Sequence, residues 1–84
     1  MSTKPRRIIG IDPGFGRVGY GVIEEKGREW RAVAYGCIVT SPKRTLIERL
    51  QDIKISLQEL LEKYQPTQAA VEELFFYKNV TTAL

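Results

Sequence analysis

The sequence predicts an α/β fold: a three-strand antiparallel meander, a crossover helix, and a fourth strand parallel to the first. Three observations carry that prediction. Short apolar runs separated by tight turns fill residues 7 to 40. An apolar repeat at helical spacing follows, from Leu46 to Tyr64. A last apolar run then ends at two carboxylates, Glu72 and Glu73.

The first run, "RIIGID", is apolar at successive positions, as in a strand covered on both faces. "RVGYGVIEE" alternates more visibly and reads as the second strand. "KGR" makes a tight connection, and "EWRAVAYGCIVT" is the third. Short loops between them favour a meander. Leu46, Leu50, Ile53, Leu57, Leu60 and Tyr64 then mark one face of a helix. Thr45 with Glu48 has the form of a capping box at its start, and Pro66 stops it. Glu59 and Lys63 lie one turn apart in the favourable order. The repeat is too short for a coiled coil, so the helix is expected to pack on the sheet. "TQAAVEE" reads as a fourth strand, buried until it meets its carboxylates.

Composition limits the chemistry. The length of 84 residues is enough for one small domain and no more, with a thin stability margin, and residues 1–84 are read as part of a single domain. An apolar content of 43% argues against disorder. The net charge of +3 permits a nucleic-acid partner without demanding one. No apolar run is long enough for a membrane span, and the basic start carries no secretory pattern. The single cysteine, Cys37, excludes an internal disulfide and is expected to be a buried small hydrophobe in a reduced, cytoplasmic protein. With no histidine, the usual zinc sites and histidine-dependent triads are absent. Chemistry must rest on carboxylates, amines, hydroxyls or backbone.

Two strand ends then matter. A crossover helix brings the fourth strand back parallel to the third, and so to the first. In the order 3-2-1-4, Asp12 and Glu72 stand at the carboxyl ends of neighbouring parallel strands, about 4.8 Å apart. Ionising both is costly unless a cation lies between them. Magnesium and manganese take such oxygen ligands together with water and phosphate. Each carboxylate also has a plain reading. Asp12-Pro13-Gly14 is a turn, with proline presetting one angle and glycine supplying a positive one. Glu-Glu after a strand is a solvated end.

At these residues the sequence resembles the RuvC family of Holliday junction resolvases. The stretch "IGIDPGFGRVGYGVI" matches the family's opening strand, G-[IL]-D-P-G and later G-x-G. The stretch "AAVEELFFYKNVTTAL" matches its second pattern, an apolar strand, a glutamate, an aromatic and then K-N. The resemblance implies a ribonuclease H-like fold and an endonuclease that cuts four-way DNA junctions with two Mg2+ ions, or Mn2+, per site. It makes Asp12 and Glu72 catalytic metal ligands, with Glu73 ranked below Glu72. It makes Phe75 a base-stacking wedge; Lys78 and Asn79 are read as contacts to DNA phosphate and equally as ordinary turn residues. Phe76 and Tyr77 are read equally as core caps. Arg17 and the Lys4, Arg6, Arg7 cluster are read as solvated charge, with contact to the DNA backbone as the alternative.

The resemblance further implies a homodimer and a RuvAB branch-migration partner. The family carries two further acidic residues, a long helix and a fifth strand in a chain about twice this length. These 84 residues are therefore expected to be an N-terminal part, inactive alone. Three rivals stand beside this reading. One is the phosphate-binding half of an actin- or Hsp70-type ATPase or sugar kinase, whose hairpin usually has serine or threonine where Phe15 and Gly16 stand. Another is a non-catalytic nucleic-acid-binding remnant. The third is the resolvase-like family of ribosomal RNA processing, against which Pro13-Gly14 and "FFYKN" count.

Overall fold

The computed structural model describes residues 4–14 and 16–72. Four strands and one helix follow in the order β1 (Arg7–Asp12), β2 (Arg17–Lys26), β3 (Glu29–Val39), α1 (Leu46–Tyr64) and β4 (Gln68–Val71). The sheet order is β3-β2-β1-β4, with β1 antiparallel to β2 and parallel to β4. The meander and the parallel return thus stand as the sequence predicts.

Local chemistry explains the boundaries. Gly27, at φ 64°, supplies the left-handed residue of the β2–β3 turn, where any side chain would be strained. At the start of α1, the Thr45 hydroxyl accepts from Glu48 N–H at 3.2 Å and Thr45 N–H donates to Glu48 Oε1 at 2.8 Å. Two otherwise orphaned donors are satisfied reciprocally. The helix ends at Gln65 in the left-handed region, whose N–H donates to Leu61 O at 2.9 Å, immediately before Pro66. Thr67 then anchors the return strand to Arg7. Its N–H donates to Arg7 O at 2.7 Å, and its hydroxyl accepts from Arg7 N–H at 3.1 Å.

The helix covers one face of the sheet. Ile9 and Val22, paired across β1 and β2, are fully buried there, flanked by Val18 and Ile38. Glu24 is buried on the same face and bonded to Arg7, which also donates to Tyr64 O at the helix end at 2.7 Å. A register shift after Val22 skips Val33, so Arg31 comes opposite Glu24. Arg31 lies 3.6 Å from the Glu24 carboxylate as a second cation. Arg7 is therefore a half-buried tie between β1, β2 and α1, not solvated charge. Arg6 sits 5.4 Å from the centre of the Trp30 ring.

Four local expectations are corrected. Cys37 is exposed, because it lies on the face away from α1. β4 is exposed along its length, because it is the edge strand of the described sheet and α1 leans toward β3. β1 is central, yet Ile9 is its only buried residue, since one face is open. Within the helical stripe, Ile53, Leu57, Leu60 and Tyr64 are half-buried, whereas Leu46 and Leu50, at the amino-terminal end of α1, are exposed.

Candidate metal centre

Asp12 and Glu72 meet at the carboxyl edge of β1 and β4. The parallel register runs from Ile8 opposite Gln68 to Ile11 opposite Val71, so the next positions are Asp12 and Glu72. One further ladder bond, from Glu72 N–H to Ile11 O at 2.9 Å, carries the pairing past Val71. That bond fixes the backbone beneath the carboxylate. Both residues are exposed, and both project from the face opposite α1.

The two carboxyl groups interact. A hydrogen bond with Asp12, reinforced by its negative charge and by partial desolvation, raises the Glu72 pKa above its ordinary 4.5. A neighbouring like charge opposes ionisation of Glu72. A divalent cation satisfies the same two oxygen groups without the proton. Among the described residues no group of three or more carboxylate, thiol or imidazole side chains gathers around a common point. The pair is therefore a partial donor set, hard and anionic, suited to magnesium or manganese with water and phosphate completing the shell.

The space in front of the pair is made by small residues. A groove of about 630 Å³ runs over the open face, lined by Gly10, Gly19, Gly21 and Ala70 beside Asp12 and Glu72, with Tyr35 at its far side. Gly19 stands opposite Asp12 in the β1–β2 pair. A Cβ there would lie 3.7 Å from Asp12 Cβ, and a longer side chain would extend along the carboxylate. The G-x-G element of β2 thus leaves the approach to Asp12 open.

The turn that presents Asp12 works differently from expectation. Among the described residues, Gly27 is the sole glycine with positive φ, so Gly14 is not there for a left-handed angle. It is there for close approach: a Cβ on Gly14 would fall 2.3 Å from Arg17 O. The turn packs its backbone too tightly for any side chain at that position.

The sequence reading brings Asp12 and Glu72 together, and the fold does the same. Phe75, Lys78 and Asn79, with Glu73, Phe76 and Tyr77, lie outside the described residues. Arg6 and Arg7 sit at the opposite end of β1 from Asp12. Arg17 is exposed at the start of β2, on the edge that bears Asp12. Two features went unnoticed in the sequence: the room left by Gly19, and Arg49 against the Asp12 turn. The G-x-G spacing was visible as a motif, but only the register sets Gly19 opposite Asp12.

Comparison with known proteins agrees with this arrangement. The family described as crossover junction endodeoxyribonuclease RuvC matches residues 8–84. A crossover junction endodeoxyribonuclease RuvC from Petrotoga mobilis is 51% identical over 77 residues, covering 92% of this chain and 47% of the relative. One from Alkaliphilus metalliredigens is 46% identical over the same length, again covering 47% of the relative. The chain thus spans about half the length of these curated relatives. Among solved structures, Thermus thermophilus RuvC in complex with a Holliday junction substrate superposes with a TM-score of 0.75 at 32% identity, covering 93% of this chain and 48% of that one. An Aquifex aeolicus PPX-GPPA enzyme superposes at 0.64 with 14% identity, over 80% of this chain and 26% of that one, which shows a shared fold alone. The fold is ribonuclease H-like, as the resemblance implied. With a matching pattern from Ile8 to Leu84 and the two motif carboxylates brought to one sheet edge, the chain belongs to the RuvC family of crossover junction endodeoxyribonucleases.

Proposed function

We propose that this chain supplies the amino-terminal half of a metal-dependent endonuclease that resolves four-way DNA junctions by paired nicks during recombination and repair. The observation that carries this reading is the placement of Asp12 and Glu72 side by side at the carboxyl edge of two parallel strands. Open α/β sheets bind their ligands at that edge. Family membership supplies the reaction class, and the two carboxylates supply chemistry consistent with it.

Magnesium or manganese, bound as a pair in the complete site, would activate a water and offset charge on the departing oxygen. The remaining work falls to the chain. Asp12 and Glu72 would hold the metal ions from one side, with their backbones fixed in adjacent ladders. The groove over Gly10, Gly19 and Gly21 admits a phosphodiester segment to the carboxylates. Hydrolysis then forms one bond from water oxygen to phosphorus and breaks one phosphorus–oxygen bond of the strand. Its product is one phosphomonoester end and one hydroxyl end.

Outside the described residues, Phe75 is assigned to stacking on bases at the junction centre, a contact worth about 1–3 kcal/mol per base. Lys78 and Asn79 are assigned to backbone phosphate. The complete enzyme acts as a cytoplasmic homodimer, whose two-fold axis matches the symmetry of paired nicks, alongside the RuvAB branch-migration complex.

Nicking of a synthetic four-way junction in magnesium tests the reading. Two proteins are compared: the chain itself, and the chain joined to the carboxyl-terminal half of the Petrotoga mobilis relative. The chain alone is expected to be inactive, because two carboxylates are a partial ligand set. The joined protein is expected to cut, and Asp12→Asn or Glu72→Gln is expected to lower its rate by at least about a hundredfold. Cutting that survives both substitutions sinks the assignment.

A further inference from the structure

The turn carrying Asp12 is held from below by a contact that neither motif contains. Arg49 lies in the first turn of α1, its N–H donating to Thr45 O at 2.9 Å. Its Nε donates to the Thr40 hydroxyl at 2.9 Å, and Thr40 is 5% exposed. Thr40 N–H in turn donates to Gly16 O at 3.2 Å, one rung beyond the last β2–β3 pair, Arg17 with Val39. A Cβ on Gly16 would lie 2.9 Å from Arg49 Nη2, so the guanidinium rests against the backbone of the turn. One side chain thus touches the end of β3 and the β1–β2 turn from a capped helix terminus.

We propose that Arg49 is a positioning residue, which, through Thr40 and Gly16, holds the β1–β2 turn so that Asp12 stays against Glu72. The inference rests on the reading of Asp12 as a metal ligand. Asp12 ends β1 two residues before Gly14, and the turn returns at Gly16. Holding Gly16 from α1 closes the turn at its far side, while the Gly14–Arg17 approach closes it from within. The need for accuracy is chemical, since a ligand or reacting group misplaced by about 1 Å costs on the order of a hundredfold in rate. Arginine suits the task because its planar fork presents Nε to Thr40 and Nη2 to Gly16 at once. Lysine offers a single flexible point charge.

Two measurements on the metal-free and manganese-titrated chain test this. Amide hydrogen exchange by NMR is compared for the unaltered chain, Arg49→Lys, Thr40→Val and Thr40→Ser. The clamp predicts that the residue 40 amide exchanges at least about tenfold faster in the first two variants, with amides of the β1–β2 ladder unchanged and Thr40→Ser close to the unaltered chain. Manganese affinity, read from relaxation enhancement, is expected to fall at least about fivefold in the same two variants and to recover in Thr40→Ser. Uniformly faster exchange across the sheet would overturn the proposal, because Arg49 would then be a general helix–sheet staple. Faster exchange at residue 40 with unchanged manganese affinity would overturn it too, since the turn would not aim the ligand. Manganese binding indifferent to Asp12→Asn would overturn the underlying reading of Asp12, while exchange at residue 40 still reported the clamp by itself.

Discussion

Asp12 and Glu72 stand side by side at the ends of two parallel strands, and the backbone under Glu72 is bonded to the residue before Asp12. Sixty residues apart in sequence, the two are register neighbours in space. The β1–β4 ladder keeps their backbones adjacent. Repulsion between them is therefore built into the fold, to be relieved by a proton or a cation.

The first prediction follows from the raised Glu72 pKa. A folded carboxyl that binds its proton more tightly than the unfolded one stabilises the fold below the unfolded value of 4.5. That contribution is lost as pH rises from 4.5 through the raised value. Denaturation followed across this range should show stability declining, and Asp12→Asn should flatten the decline. At neutral pH, magnesium at about ten times its Kd should raise Tm by roughly 5 °C or more, with no such gain in Asp12→Asn. A decline unchanged by Asp12→Asn would place its origin elsewhere.

Glu24 predicts the opposite slope. Its hydrogen bond with Arg7 leads the causes that lower its pKa; burial opposes, and the charges of Arg7 and Arg31 assist. A depressed carboxyl contributes stability above 4.5 and loses it as pH falls through the lowered value. Acid unfolding should therefore shift in Glu24→Gln, which should also lose stability at neutral pH, because Arg7 remains half-buried without its partner. Identical acid transitions in the two proteins would contradict this.

Gly19 controls access to Asp12. Gly19→Ala is expected to leave manganese affinity within about twofold, since its Cβ would sit at an ordinary 3.7 Å from Asp12 Cβ. Gly19→Leu should weaken manganese binding by about tenfold or more by covering the carboxylate, while far-ultraviolet dichroism stays unchanged. Equal affinity in both variants would show that the groove approaches the pair from elsewhere.

The helix cap offers a stability test away from the site. Thr45→Ala removes the acceptor for Glu48 N–H and should cost about 1 kcal/mol, within roughly 0.5–2. Thr45→Ser should keep most of it. Since Arg49 follows directly on this cap, the alanine variant should also speed exchange of the Thr40 amide. A chemical denaturation series reads the first effect and hydrogen exchange the second.

What could be read without coordinates was local or periodic. The Thr45–Glu48 box, the stop at Pro66 and the apolar stripe of α1 depend on residues within a few positions of one another, so sequence spacing alone determined them. Chain direction made β4 parallel to β1, and the apolar run of β1 suggested a central place beside β4. The order stands, with the meeting of Asp12 and Glu72, although one face of β1 is open. Other features depended on which face each residue occupies and on what covers that face. Cys37 is apolar in context and yet exposed, because α1 lies on the other side of the sheet. The bulge that brings Arg31 to Glu24 has no short-range signature in "EWRAVAY". Gly14 looked like a source of positive φ and proved to be a point of backbone contact. Arg49 stands between the motifs and reaches the Asp12 turn only once α1 is laid across β3. By itself, the sequence determined the elements, their order and the family's two carboxylates, because propensity, capping and chain direction are properties of neighbours. Only the tertiary structure decided which face is open, what holds the turn and what stands opposite Asp12, because those depend on distances between segments that no local pattern encodes.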